Sequence, residues 1–139
     1  MPPPYAADTN VYVRAANEPS FRGRLERFIQ QDGPLLVSSV VIAEVLIGVT
    51  EAGRHDAVIR ALSGGTTPLA PHPDDWIAAA TAVCRLGGDT ITKSRSFWND
   101  ALLAAQCSRL QVTLITSNAR DFRRLARHLP VEVLEPFPA

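Results

Sequence analysis

Residues 112–122, with the sequence VTLITSNARDF, contain the pattern that decides the fold. Residues 112–116 form a short apolar run rich in β-branched side chains, which predicts a strand buried on both faces. Ser117 and Asn118 favour a turn after this strand, and a short helix is predicted from about 119 to 128. A buried strand that leads through a polar turn into a helix is typical of an α/β protein with a parallel sheet.

The same alternation of strands and helices extends over the rest of the chain. Four further strands are predicted, at 5–8, 35–37, 67–70 and 131–134, the last of them at an edge of the sheet. Helices are predicted between the strands, at about 20–31, 39–47, 54–62, 73–86 and 96–110. This order predicts a parallel sheet with helices on both faces. Because 139 residues are the usual length of one domain, we expect a single domain over residues 1–139.

The composition indicates a globular protein without a membrane segment. Hydrophobic residues make up 46% of the chain and charged residues 20%, and no apolar run approaches the roughly 20 residues of a membrane span. The start, Met1-Pro2-Pro3-Pro4-Tyr5, lacks the basic and apolar parts of a secretory signal, so we expect a cytoplasmic protein. Cys84 and Cys107 lie in apolar helical patterns and are predicted to be buried free thiols.

The charge distribution argues against nucleic-acid binding through a general positive field. The net charge is zero and the sequence pI is about 6.8. Nearly all positive charge is arginine, whose forked guanidinium suits phosphate. The basic residues concentrate in three groups, which are either local binding patches or solvated helix faces: Arg22, Arg24 and Arg27; Lys93 and Arg95; Arg120, Arg123, Arg124 and Arg127.

Four acidic residues stand at the edges of apolar segments: Asp8, Glu44, Asp100 and Asp121. An unpaired carboxylate is costly to bury in such places. Asp8 closes the first predicted strand and Asp121 follows the strand at 112–116, so both belong at the carboxyl edge of the sheet, where sites in parallel sheets gather. With the polar residues beside them, these acids predict an oxygen-rich site for a hard divalent cation, as in a nuclease.

Each acid also has a structural alternative. Glu44 interrupts a segment, 40–47, that is otherwise apolar on every face, and there it would be a buried acid paired with an arginine. Asp8 would make an Asx turn with the residues that follow it. Asp100 and Asp121 would be negative charges near the amino-terminal ends of helices.

Four strings of the sequence, in this order and spacing, resemble PIN domains and more narrowly VapC-type toxin ribonucleases. They are Asp8-Thr9-Asn10, residues 38–48 with Glu44 inside them, FWNDALLAA at 97–105 and TSNARDF at 116–122. The resemblance implies a three-layer α/β/α fold with a central, mainly parallel sheet. It also implies an Mg²⁺- or Mn²⁺-dependent endoribonuclease that is the toxin of a toxin–antitoxin pair, binds a separately encoded antitoxin and forms a homodimer.

Carried over by position, the resemblance makes Asp8, Glu44, Asp100 and Asp121 the catalytic acids. We expect Asp8 and Asp100 to bind the metal directly, with Glu44 and Asp121 completing the site or orienting water. Asn118 stands where many family members carry an aspartate, so the fourth carboxylate is assigned to Asp121. Four polar neighbours are expected to orient the acids: Thr9, Asn10, Thr116 and Asn118. Three basic residues are expected to bind the RNA: Lys93, Arg95 and Arg120.

Two other functions fit parts of the sequence. A phosphatase or phosphotransferase would use Asp8 as a nucleophile, but there is no second acid two residues on, and the only lysine, Lys93, lies near no later strand end. A catalytically inactive, protein-binding relative would be expected to have lost one of the acids, and all four are present.

Overall fold

The computed structural model describes residues 4–64, 66–87 and 94–136. Three strands form its sheet: β1 (Tyr5–Ala7), β2 (Thr113–Ile115) and β3 (Val133–Leu134). The helices are α1 (Thr9–Asn17), α2 (Pro19–Asp32), α3 (Ser39–Ile47), α4 (His55–Ser63), α5 (Pro73–Leu86), α6 (Arg95–Leu110) and α7 (Ala119–Leu125), with a 3₁₀ turn at Ala52–Arg54.

The predicted parallel sheet is confirmed. The strand order is β1-β2-β3, both pairs are parallel, and β3 lies at the edge as expected. The strands predicted at 35–37 and 67–70 are shorter than expected and consist of single parallel bridges, Ala6 to Leu36 and Ser38 to Leu69. These bridges continue the sheet on the side of β1 that faces away from β2, so β1 has a pairing partner on both sides.

Alternate side chains of β1 and β2 enter two separate cores, which confirms the three-layer arrangement. Ala6 and Leu114 pack in a core with residues of α3, α5, α6 and α7. Ala7 and Ile115 point the other way and pack with residues of α1 and α2. Because successive side chains of a strand alternate between faces, one apolar strand supplies both cores.

Small side chains let α5 pack closely along α6. Ala79 and Ala82 are the buried positions in the middle of α5, and they face a helix whose buried face includes Ala101, Ala104 and Ala105. Alanine contacts bring two helix axes near each other. This packing fixes α6, which carries Asp100, against the rest of the domain.

Helix α1 is the main difference from the prediction, which placed no helix between the strand at 5–8 and a first helix that begins at about residue 20. Its sequence contains β-branched and aromatic residues, which are weak helix formers. The helix forms because Asp8 caps its first turn and because Val11 and Ala15, four residues apart, are buried against α2. It is followed at once by α2, whose first residue is Pro19.

Two smaller predictions concern the cysteines and the membrane. Both cysteines are free; Cys107 is buried as predicted, whereas Cys84 is exposed, because it lies on the side of α5 that faces away from α6. No helix in the described part of the chain combines the length and the apolar character that crossing a bilayer requires.

Candidate active site

The carboxylate of Asp8 lies at the carboxyl edge of the sheet, directly after β1. Because Ala7 and Ile115 are register partners in neighbouring strands, the next residues, Asp8 and Thr116, lie side by side. The Thr116 hydroxyl donates a hydrogen bond to Asp8 Oδ2, and the Val11 N–H donates to Oδ1 at 3.2 Å. Asp8 is therefore both the cap of α1 and a buried acid, with 3% of its surface exposed.

Glu44 reaches the same region from α3. Its Oε1 accepts a hydrogen bond from the Thr9 hydroxyl at 2.8 Å, across 35 residues of sequence. The expectation that α3 has no solvent-facing side is wrong, since Ala43 and Ile47 are exposed and Glu44 itself is half-buried. The alternative role of Glu44 in an ion pair with arginine is also not found among the described residues, where its partner is Thr9.

Asn118 joins the other two acids. Its side-chain amide lies 3.1 Å from Asp121 Oδ2 and 3.5 Å from Asp100 Oδ2. Its backbone N–H donates to the Thr116 hydroxyl at 2.9 Å, and that hydroxyl donates in turn to Asp8. A continuous chain of hydrogen bonds thus links Asp8 with Asp100 and Asp121.

The acids interact electrostatically. Burial is the largest effect on Asp100, and with the negative charges of Asp8, Glu44 and Asp121 it raises the pKa of Asp100 to about 8, against the hydrogen bond from Asn118. Burial also raises the pKa of Asp8, although hydrogen bonds oppose the change. Carboxylates that raise each other's pKa create a negative potential, which a bound cation relieves.

The donor set fits a hard, partly hydrated divalent cation. All candidate ligands are oxygens, which Mg²⁺ and Mn²⁺ prefer, and Mg²⁺ binds proteins through one or two carboxylates while keeping several waters. In residues 4–64, 66–87 and 94–136, no group of three His, Cys, Asp or Glu side chains is arranged to hold a metal ion.

Of the polar and basic residues predicted for the site, Asn10 does not have its side chain at the acids, and Lys93 is not among the described residues. The side chain of Asn10 is exposed, and among the described residues it makes no hydrogen bond to the acids; the contribution of Asn10 is a backbone hydrogen bond to Asp8. Asn10 belongs to the first turn of α1. Lys93 lies outside the described residues.

A groove of about 320 Å³ begins beside Glu44. Arg95 lines this groove, as does Asn99, one residue before Asp100 in the sequence. Trp76, which is 49% exposed, also lines it and was not predicted as a site residue. Its ring lies 6.1 Å from that of Trp98 on α6, a contact between two helices that no local sequence pattern predicts.

The geometry also argues against a nucleophilic role for Asp8. Both of its carboxylate oxygens accept hydrogen bonds from within the protein, and almost none of its surface is exposed. A nucleophilic carboxylate needs an oxygen that can approach phosphorus in line. The arrangement is that of a held acid, which suits a metal ligand.

Comparisons with known proteins agree with this architecture. A family model described as the PIN domain matches residues 5–128. A chain in the crystal structure of VapBC2 from Rickettsia felis, bound to a DNA fragment from their promoter, is similar with a TM-score of 0.69 and 20% sequence identity. The match covers 94% of this chain and 97% of that chain. No curated protein matches the sequence significantly.

Proposed function

Because the chain belongs to the PIN-domain family, whose model spans residues 5–128, we propose that it is a metal-dependent endoribonuclease that cleaves RNA phosphodiester bonds. The observation that carries this proposal is the convergence of four acids at one edge of the sheet, where burial, together with the charges of Asp8, Glu44 and Asp121, raises the pKa of Asp100 to about 8. Repulsion among buried acids is a cost that a bound cation would offset. We also infer that the protein is the toxin of a toxin–antitoxin pair.

Asp8 and Asp100 are the proposed metal ligands. Asp8 is the most rigidly held of the four acids, since it caps α1 and accepts a hydrogen bond from Thr116. Asp100 lies on α6, with its Oδ2 3.5 Å from the side-chain amide of Asn118. When bound, Mg²⁺ or Mn²⁺ lowers the pKa of a coordinated water and neutralises charge on the scissile phosphate.

Glu44 and Asp121 have different tasks in this proposal. Among the described residues, Thr9 engages one carboxylate oxygen of Glu44 and no protein group engages the other. Glu44 also faces the groove, so it is the acid placed to orient the attacking water and accept its proton. Asp121 is tied to Asn118 at 3.1 Å and lies 3.8 Å from Arg124, and it completes the negative side of the site.

Thr9, Thr116 and Asn118 keep the acids in place. Each holds an acid that lies on another element or across a turn, so the site depends on how β1, β2, α3, α6 and α7 are arranged. Hydrogen-bond partners of metal ligands fix ligand orientation, and their loss typically lowers metal affinity or activity 10- to 100-fold. Thr116 is the most central of the three, because its hydroxyl connects Asp8 with Asn118.

Two partners follow from the proposed function. The solved structure that resembles this chain is of VapBC2, which supports the proposal that this protein also acts with an antitoxin. A homodimer is supported by exposed apolar side chains on α3 and α5, where Ile47 is 71% exposed, Trp76 49% and Ile77 66%. Isolated exposed residues need no explanation, but Ile47 and Trp76 line the same groove and Ile77 is next to Trp76.

The test is cleavage of a mixed pool of structured RNAs by the purified chain with Mg²⁺, with Mn²⁺ and with chelator. We expect cutting that requires metal and that Asp100→Ala reduces at least about 100-fold, since a direct ligand is lost. Asp32→Ala is the matched control, because Asp32 is an exposed acid at the end of α2 and its loss leaves the site intact.

Two results would contradict the proposal. One is equal cleavage by the wild type and Asp100→Ala, which would assign the activity to a contaminant or to other residues. The other is a folded wild type that neither cuts RNA nor binds Mn²⁺ in calorimetry. That second result would favour a protein-binding module that has lost its activity.

A further inference from the structure

Four arginines lie along one side of α7 and the turn after it, next to the acidic site. Arg120, Arg123, Arg124 and Arg127 are spaced by three and four residues, which brings their side chains to one face. Together they line an open concavity of about 480 Å³, and they are its only lining among the described residues. We call these four residues the arginine strip.

Much of this positive charge is not neutralised by the protein. Arg123 pairs with Glu135 at 3.1 Å, but both side chains are more than half exposed, and such pairs contribute little. Arg124 lies 3.8 Å from Asp121. Arg120 and Arg127 have no ion pair within the described residues. Like charges at this spacing disfavour a helix, so the strip is better explained by a ligand than by the stability of α7.

The position of the strip is set by the acidic site. Asp121 belongs to the same helix as the strip. Arg124 is the member of the strip that contacts the site, with its guanidinium 3.8 Å from Asp121 and 5.6 Å from the centre of the Phe97 ring. These contacts hold Arg124 at the junction. Arg120 and Arg123 precede Arg124 on α7, and Arg127 follows it in the turn after the helix. From Arg120 to Arg127 the strip is roughly 10 Å long at the rise of an α-helix.

We propose that the arginine strip binds the phosphodiester backbone of the RNA strand and holds it on the Asp121 side of the acidic site. This rests on the proposed ribonuclease function. Four carboxylates repel a polyanion, and a chain with zero net charge has no general field to attract one. A local set of guanidinium groups, which match phosphate oxygens in pairs, supplies the missing attraction. Such contacts position a strand without reading its sequence.

The test is the affinity of the full chain for a fluorescent, single-stranded RNA of mixed sequence, measured by anisotropy at several salt concentrations. Chelator keeps the strand intact. Arg120→Gln with Arg127→Gln removes the two arginines without ion pairs and leaves the contacts of Arg124. We expect about tenfold weaker binding and a salt dependence whose slope falls by about 1.4, or about 0.7 per lost phosphate contact on a single strand.

Two further double variants sharpen the test. Arg27→Gln with Arg60→Gln removes the same charge from exposed positions on α2 and α4, and it should stay within about twofold of the wild type. Arg120→Lys with Arg127→Lys keeps the charge and should keep most of the salt dependence. Equal losses in both glutamine variants, or none in Arg120→Gln with Arg127→Gln, would overturn the proposal. Strip-dependent binding of a hexaglutamate peptide without strip-dependent RNA binding would also overturn it, in favour of an acidic protein partner.

Failure of the strip and failure of the ribonuclease proposal give different results. If the wild type cleaves RNA with Mg²⁺ and kcat/KM is unchanged in Arg120→Gln with Arg127→Gln, the proposed role of the strip is wrong. The ribonuclease proposal is then still supported. If RNA binding depends on the strip but no variant and no metal produces cleavage, the strip stands as an RNA-binding surface and the ribonuclease proposal fails.

Discussion

At the scale of single residues, Asp100 is the side chain whose charge is least favourable in the metal-free protein. Its pKa is raised to about 8, mainly by burial and then by three neighbouring acids. An acid with a raised pKa binds its proton more tightly in the folded state, so its contribution to stability falls as pH rises from about 4 towards 8. We therefore expect Asp100→Asn to stabilise the metal-free protein at pH 8 by about 1 kcal/mol or more, and by less at pH 5.

Urea unfolding of Asp100→Asn and the wild type in chelator, at both pH values, measures this difference. Asp32→Asn is the control, since it removes an exposed carboxylate and should change the free energy of unfolding little at either pH. Saturating Mg²⁺ should narrow the gap between Asp100→Asn and the wild type, because the cation takes the place of the proton in the wild type. A wild type as stable as Asp100→Asn at pH 8 in chelator would contradict a destabilising charge on Asp100, whether from burial or from the neighbouring acids.

At the scale of elements, an ion pair fastens α5 to α6. Asp75 is buried on α5 and accepts two hydrogen bonds from Arg109 of α6, at 2.7 and 2.9 Å. It also caps its own helix by accepting from the His72 N–H at 2.8 Å. Burial alone would raise the pKa of Asp75, but these hydrogen bonds outweigh it and hold the pKa below its ordinary value.

Asp75→Asn should therefore lower the Tm by about 5 °C or more, because a buried bidentate pair and a cap lose their charge. Asp74→Asn is the matched control, since the neighbouring Asp74 side chain is 78% exposed and should matter little. A lowered pKa means that the benefit of Asp75 exists above its ordinary pKa of 3.8 and is lost as pH falls through the lower folded value. The two proteins should thus differ at pH 7 and converge in acid; a constant difference would contradict the pair as its cause.

The same elements show what a sequence can and cannot predict. The strand at 112–116 and the position of Asp8 followed from local pattern, and since parallel strands end at one edge, so did the nearness of Asp8 and Thr116. The contact between Thr9 and Glu44 could not be predicted, because it depends on α1. Many residues of α1 are weak helix formers, so its sequence does not indicate a helix. Likewise, nothing local marks Asp75 as the partner of Arg109, 34 residues away, since an acid at the start of a helix already has a reason to be there.

At the scale of the whole molecule, the exposed apolar side chains of α3 and α5 predict a homodimer. Ile47 and Ile77 are exposed by 71% and 66%, and they lie beside the groove that starts at Glu44. A second copy that covers this face would extend the groove with residues of its own, which would couple dimerisation to the site. We expect a dimer at micromolar concentration by light scattering. Ile47→Asp should convert it to a folded monomer whose Tm no longer rises with protein concentration, because Ile47 is 71% exposed within one chain.

Val13→Asp is the control for this experiment. Val13 is 47% exposed on α1, in the layer on the other side of the sheet, so a charge there should leave the dimer intact. Dissociation by both variants would indicate a general effect of added charge rather than an interface on α3 and α5. A monomeric wild type would show that these side chains serve another partner, and the antitoxin would then be the first to test against Ile47→Asp.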